Sequence, residues 1–254
     1  VTRRAASRDA SPNVRARLLA RIRRLYPTYD EVFQLGPLRV PFTRVADPRQ
    51  VLDRIIDLHA DRERRGEKLP AGQEVSLPYW AELWDSALGV STFVATRGLD
   101  LAAPRPRTID APPPRVLDLG CGMGLTGVAA MELGARVTFA DIETHALLFA
   151  RLNAMRFPQD QSVIRRVNWQ VDRLPEPFGL IIGADVLYER RQWEFLDAFW
   201  RHHLAPGGAV LLGEPGRHTS DEFAAWAASN GWSVGREGQP VPTRTQPIRL
   251  FVLR

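Results

Sequence analysis

Val116-Leu117-Asp118-Leu119-Gly120-Cys121-Gly122-Met123-Gly124, followed by an acid at Asp141, decides how this chain folds. An apolar run bounded by Pro114-Arg115 before it and glycines after it reads as a central parallel strand feeding a tight turn into a helix. Gly120, Gly122 and Gly124 allow positive φ and close approach of a ligand to the backbone. Asp141 stands near the spacing of about 20 residues at which an acid reaches the hydroxyls of a ribose.

Two ligand classes fit such a loop. Gly122-x-Gly124-x-x-Gly127 with Asp141 satisfies the dinucleotide fingerprint. Asp118 separates the readings, because a carboxylate just ahead of the glycines repels a pyrophosphate and favours a cation. S-adenosylmethionine carries an ammonium and a sulfonium and no phosphate, so charge complementarity favours it over nicotinamide or flavin. The bland alternative is that Asp118 only caps the glycine turn.

Working outward, strand and helix alternate: Val116–Gly120, Leu125–Leu133, Val137–Asp141, Thr144–Met155, Val163–Trp169, Leu180–Ala184, Gln192–Leu204, Val210–Gly213 and Ser220–Asn230. That order predicts an α/β doubly wound, Rossmann-like sheet with helices on both faces. Trp232–Val234 and Arg249–Leu253 add an antiparallel edge pair and bring the sheet to seven strands. A helix is expected over Trp84–Arg97, and Asp100–Pro114, rich in Pro and Arg, reads as a linker. Upstream, residues 1–77 form an extension to a domain over 78–254. It comprises a basic helix from Pro12 to Tyr26, a hairpin over Glu31–Val45 around Gly36-Pro37, and a helix capped by Asp47-Pro48. Val51, Leu52, Ile55, Ile56 and Leu58 are expected to bury one face of that last helix, which Gly66 ends. Ala71–Pro78 is a loop.

The 254 residues are 44% hydrophobic, enough to fill a sizeable core. No apolar run approaches the ~20 residues that span a bilayer, and no signal-like segment opens the chain, so a cytoplasmic setting away from membranes is expected. Cys121 is the only cysteine, which excludes an internal disulfide and a cysteine-based metal cluster, and no metal is expected. Within the glycine loop it reads as a small filler of the cofactor lining. The net charge is +5, with Lys68 the only lysine; eight arginines against the single acid Asp9 lie between Arg3 and Arg24. This arm reads as a solvated, partly docked helix, or as a docking face for an acidic protein or a nucleic-acid backbone.

Ligands of open α/β sheets sit beyond the carboxyl ends of the strands, so the remaining site residues are sought there. Asp118 and the glycine loop are assigned to the methionine part of the cofactor, Asp141 to the ribose hydroxyls, and Ile142 to the cofactor lining. Trp169 is expected to stack on adenine. Ala184-Asp185-Val186-Leu187-Tyr188 places a carboxylate and a phenol where the methyl group is passed on. Methyl transfer is an in-line displacement that mainly requires a positioned lone pair, so Asp185 would orient an amine and accept its proton, with Tyr188 as wall or hydrogen-bond partner. Trp80, Glu82, Trp84 and Asp85, packed into one short stretch, are expected to wall the cofactor and an alkylammonium. Glu214, in Glu214-Pro215-Gly216-Arg217, is expected to face the same crevice.

Together these motifs resemble the seven-strand protein-lysine methyltransferases grouped as methyltransferase family 16. The resemblance covers roughly Pro78 to Arg217, and its last segment looks most like the branch that methylates lysines of the electron-transfer flavoprotein β-subunit. It implies cofactor contacts for Trp84, Gly120, Gly122, Asp141, Trp169 and Ala184, with Asp185 and Tyr188 facing the acceptor. Asn168 departs from the acid common before that tryptophan. Nicotinamide-type N-methyltransferases share the look of Trp80-Ala81-Glu82, which keeps a small-molecule acceptor open. A nucleic-acid acceptor ranks lower, because Val186 and Leu187 replace the usual prolines. A silent cofactor-binding module ranks lower still, because the strand-end acids are intact.

Overall fold

The computed structural model describes residues 12–67, 77–101 and 112–254. Arg3, Arg8, Asp9, Lys68, most of the Ala71–Pro78 loop and most of the Asp100–Pro114 linker lie outside the described residues. Along the chain come α1 (Pro12–Leu25), β1 (Thr28–Leu35), β2 (Leu38–Val45), α2 (Pro48–Arg64) and α3 (Asp85–Arg97). They are followed by β3 (Arg115–Leu119), α4 (Leu125–Glu132), β4 (Arg136–Asp141), α5 (Thr144–Ala154), β5 (Ser162–Arg166) and β6 (Phe178–Ala184). The last third holds α6 (Trp193–His203), β7 (Leu204–Glu214), α7 (Phe223–Ser229), β8 (Val234–Gln239) and β9 (Ile248–Leu253).

Seven strands form one sheet in the order β5-β4-β3-β6-β7-β9-β8. β3 to β7 run parallel, and β9 inserts antiparallel between β7 and β8. The order reverses between β3 and β6, which opens a crevice at the carboxyl ends of those two strands. Alternation along each strand divides the core in two. Val116, Leu180, Ile182, Ala209 and Leu211 face the side covered by α3, α4 and α5, whereas Leu117, Leu119, Ile181, Val210 and Leu212 face α6 and α7. Trp193, Phe199, Trp200 and Phe223 are the large side chains of that second layer, all fully buried.

The N-terminal elements join the first layer rather than standing apart. Ile22 of α1 and Leu35, Val40, Phe42 and Val45 of the hairpin belong to the same apolar cluster as α4 and α5. The Asn153 side chain fastens the hairpin, accepting from Thr43 N at 2.8 Å and donating to Thr43 O at 2.9 Å and Met123 O at 3.1 Å. Arg15, Arg17, Arg21 and Arg24 stay on the solvent side of α1, so within the described residues this is a partly docked, solvated helix.

Three expectations need correction. Asp47 caps α2 as its sequence implies, accepting from Arg49 N at 3.0 Å, but Val51 alone is buried, and Ile56 and Leu58 are 52% and 53% exposed. An apolar stripe buries only where another layer covers it, and this helix lies at the margin of the core. β5 stops at Arg166, because Asn168 N turns to Asp172 Oδ2 (2.8 Å) and Asn168 Oδ1 takes Gln170 N (3.0 Å), so Trp169 rides on a turn beyond the strand. The outermost strand begins at Val234 instead of ending there, while Trp232 packs into the second layer.

Candidate active site

The glycine loop follows from its backbone angles. Gly120, Gly122 and Gly124 have φ of +65°, +52° and +92°, a region that costs other residues energy. Gly120 N and Cys121 N both donate to Ala140 O, at 2.8 and 3.1 Å, which folds the loop back over the end of β4. At Gly122 an added Cβ would meet nothing closer than the Trp80 carbonyl at 3.8 Å, so the loop leaves an open floor. The crevice above it is walled by Trp80, Trp84, Ile142, Trp169, Ala184 and Tyr188, with Cys121, Glu82, Asp141 and Asp185 among its polar lining.

Asp141 stands at the lip of that crevice with Oδ2 accepting from Gly122 N (2.8 Å) and Oδ1 from Glu143 N (2.9 Å). Burial raises its pKa, and the two N–H bonds work against the rise. Asp118 does not line the crevice. It points into the protein behind the loop, where Oδ1 accepts from the Thr126 hydroxyl (2.6 Å) and Oδ2 from Gly127 N (2.7 Å). It therefore ties β3 to the start of α4, and its charge acts on the loop from below. Burial pushes its carboxyl up to about 7. Among the described residues neither acid has an ion-pair partner, so a cationic ligand above the glycines favours the ionised form of both. Burial and the two carboxylates also push the Cys121 thiol well up, which leaves it a neutral filler.

Across the crevice, Asp185 adopts φ +58°, the one positive value outside glycine among the described residues. Its N–H continues the sheet ladder to Gly213 O at 2.8 Å while its side chain turns out into the crevice. Such a strained conformation, costing about 1 kcal/mol or more, marks a position whose side-chain direction matters. Arg217 grips both carboxylate oxygens, from Nε at 3.1 Å and from Nη2 at 2.8 Å. Its guanidinium carbon also lies 5.4 Å from the centre of the Trp84 ring. Tyr79, Trp84, Asp185, Tyr188, Arg217 and His218 line a second pocket that opens beside the first. Burial, with Glu189 and Asp141 nearby, raises the Tyr188 phenol, so it stands as a neutral hydroxyl.

Two expected acceptor-side acids lie elsewhere. Glu214 is fully buried at the end of β7, where Oε2 accepts from Gly216 N (2.8 Å) and Arg217 N (2.9 Å) and Oε1 pairs with Arg249. Asp85 turns to the C-terminal loop, where it accepts from the Thr243 hydroxyl at 2.6 Å. Glu82 does reach the crevice. Trp80 serves two roles, lining the crevice and stacking edge-on against Tyr26 at 5.2 Å. Trp169 is braced by Gln192 Oε1 at 3.1 Å. Sequence reasoning missed the Arg217–Asp185 pair, whose partners are 32 residues apart, although the Gly216-Arg217 turn was visible. It also missed the Tyr26 hydroxyl bonded to His145 Nδ1 at 2.7 Å, which ties α1 to the first turn of α5.

Residues 65–224 match the model of the lysine methyltransferase family. The chain belongs to that family. The methyl donor is S-adenosylmethionine. EEF1A lysine methyltransferase 3 of Mus musculus is 25% identical over 192 residues, covering 70% of this chain and 78% of the mouse protein. Electron transfer flavoprotein beta subunit lysine methyltransferase of Xenopus laevis is 32% identical over 146 residues, 55% of this chain. The chain spans only 53% of that relative's length. Among solved structures, the glycopeptide N-methyltransferase MtfA overlays with a TM-score of 0.51 at 18% identity, over 67% of this chain and 90% of that one, a likeness of fold.

Proposed function

We propose that this lysine methyltransferase transfers the methyl group of S-adenosylmethionine to the ε-amine of a lysine presented by a protein. The observation that carries the reading is the junction of the two pockets: the crevice over the glycine loop and the pocket beside it share Tyr79, Trp84, Asp185 and Tyr188. A donor in one and an alkyl amine in the other meet at the Asp185 carboxylate. Tyr79 is half exposed at the rim, as suits a pocket entered by a side chain from a macromolecule. The two relatives described above are lysine methyltransferases by name, which points the same way.

Within the proposal, Gly120, Cys121, Gly122 and Gly124 hold the methionine part. Asp141 binds the ribose hydroxyls through lone pairs left free by its two N–H bonds, and Trp169 and Ile142 enclose the adenine. S-adenosylmethionine brings a methyl group already activated by the sulfonium. The protein's task is to present a neutral nitrogen in line with it and to exclude water. Asp185 accepts a hydrogen bond from the amine, while Tyr79, Trp84 and Tyr188 confine the alkyl chain. Asp118 contributes through the loop that it supports. We extend the proposal to a cytoplasmic setting, which fractionation of the native source tests.

Purified enzyme and labelled S-adenosylmethionine, added to lysate of a strain lacking the gene, test the acceptor class. Label is expected on protein, recovered as methyl-lysine after hydrolysis. Label that survives protease and disappears with nuclease, or that stays in the small-molecule fraction, overturns the reading.

A further inference from the structure

Glu214, Arg217 and Arg249 form a network larger than a turn of this length needs. The fully buried Glu214 carboxylate holds the backbone N–H of Gly216 and Arg217 on one oxygen and the Arg249 guanidinium on the other. Arg249 donates onward to Arg217 O at 2.8 Å and to Asp221 Oδ1 at 2.6 Å. Arg244 closes the loop from above by donating to Pro215 O at 2.6 Å. Burying a carboxylate is costly unless its partners are well placed, and here one arginine and two backbone N–H groups satisfy it. What the network fixes is Arg217, delivered as a rigid fork onto both oxygens of Asp185 and laid over Trp84.

A bare Asp185 among Tyr79, Trp84 and Tyr188 would make an ammonium trap. Carboxylate and ring faces both favour R–NH3+, the form that has no lone pair and cannot react. We propose that Arg217 is a positioning residue that cancels this trap. It neutralises Asp185 in place, so that the acceptor pocket prefers the amine to the ammonium while Asp185 remains a hydrogen-bond acceptor. This rests on the acceptor reading above and deepens it.

The step balances without a protein base. The ammonium loses a proton to water before it settles in the pocket. The nitrogen lone pair then forms the new C–N bond as the C–S bond breaks with its electron pair going to sulfur, and the product leaves as a methylammonium. Asp185 orients the nitrogen and is not its proton acceptor. Around the pair stand Tyr188 from the end of β6, Tyr79 from the turn before α3, and His218 and the buried Glu214 from the β7 loop. Glu82 and Asp141 lie across the crevice. These last two carboxylates favour the ammonium, so Arg217 is the charge that opposes them.

The test compares wild type, Arg217→Gln and Arg217→Lys, each as the full chain, using the protein that takes label from S-adenosylmethionine in the lysate assay. Initial rates are followed from about pH 6.5 to 10. Arg217→Gln is expected to lower kcat at least tenfold near neutral pH, to leave KM for the protein unchanged or lower, and to move the acid limb of the rate profile up by about one pH unit. Arg217→Lys keeps a cation and is expected to hold the limb within a few tenths of a unit of wild type, although it loses the fork. Calorimetry with S-adenosylmethionine checks the fold of each variant and is expected to give affinities within threefold of wild type. Loss of rate with an unmoved limb, or a higher KM for the protein with the limb in place, overturns the proposal. A wild-type enzyme that labels no protein instead overturns the acceptor reading on which the proposal stands.

Discussion

The two banks of the crevice satisfy their buried acids by opposite means. On the β3–β4 side, Asp118 and Asp141 receive only neutral donors, namely backbone N–H groups and one hydroxyl. On the β6–β7 side, Asp185 and Glu214 each hold an arginine. Neutral donors shape a loop without cancelling the charge its acids carry once ionised, which suits a bank that must receive a sulfonium and an ammonium. Arginines cancel charge and fix geometry, which suits a bank where an extra carboxylate would trap the wrong protonation state of an amine. The same residue type thus does two jobs, and the partner decides which.

The comparison breaks most sharply at Asp185. Asp185→Asn keeps size and shape but loses the anion that Arg217 grips and the amine is proposed to meet. We expect kcat/KM for the protein acceptor to fall by about a thousandfold, with S-adenosylmethionine affinity changed by less than about fivefold. If affinity for the donor falls as far as the rate does, the two banks are not separable and the division above is wrong.

The uncompensated bank should reveal itself through pH. Asp118 titrates near 3.8 when unfolded and at about 7 when folded. Below 3.8 both states carry the proton, so nothing is lost. Between 3.8 and 7 the unfolded chain gives up a proton that the folded one keeps, so stability declines as pH rises; above 7 the penalty is constant. Urea unfolding should therefore show the donor-free enzyme losing up to about 4 kcal/mol across that window from Asp118 alone, with Asp141, also raised, acting in the same sense. Saturating S-adenosylmethionine, whose cations favour the ionised acids, should flatten the slope, and Asp118→Asn should remove most of it whatever the variant's absolute stability. A slope untouched by Asp118→Asn places the titration elsewhere.

How much of each bank could be read from sequence follows from how it is built. The β3–β4 bank is local. Apolar run, glycines and Asp141 lie within 26 residues, and the loop angles that make them work are properties of glycine itself. The alternation of strand and helix likewise gives the doubly wound sheet. The β6–β7 bank depends on pairs that only folding brings together, Arg217 with Asp185 and Arg249 with Glu214, each about 30 residues or more apart. Glu214 looked like an acceptor residue because acids at strand ends usually face the crevice, and Asp85 because it closes a short stretch dense in aromatics and acids. Their side chains instead hold loops, and no periodicity announces that. Asp118 shows the intermediate case: its charge was legible, its direction was not.

Close packing beneath the glycine loop offers a smaller effect. Gly127 follows the loop inside α4, and an added Cβ would stand 2.3 Å from Phe139 Cε1 and 2.9 Å from Asp118 Oδ2. Gly127→Ala should cost about 2 kcal/mol in urea unfolding, and because the collision reaches Asp118 it should also weaken donor binding. The rate at saturating donor should stay near wild type. A variant of wild-type stability would mean that Phe139 yields freely and that the floor of this bank is softer than its burial implies.

Asp85 gives the smallest expected effect and sharpens the boundary of the second bank. It sits one residue after Trp84, which lines both pockets, yet its carboxylate is spent on Thr243 and, at 3.9 Å, on Arg244. Those contacts are partly exposed, so Asp85→Asn should lower stability by no more than about 1 kcal/mol. KM for the protein acceptor should stay within about twofold, because nothing in the pocket changes charge. Arg244 also supports the loop that delivers Arg217, through Pro215 O. If Asp85 matters beyond its own contacts, the effect must run along that route and appear as a shifted acid limb with an unchanged KM. A tenfold rise in KM would instead mean that Asp85 swings to meet the incoming lysine, and the acceptor bank would extend to the C-terminal loop.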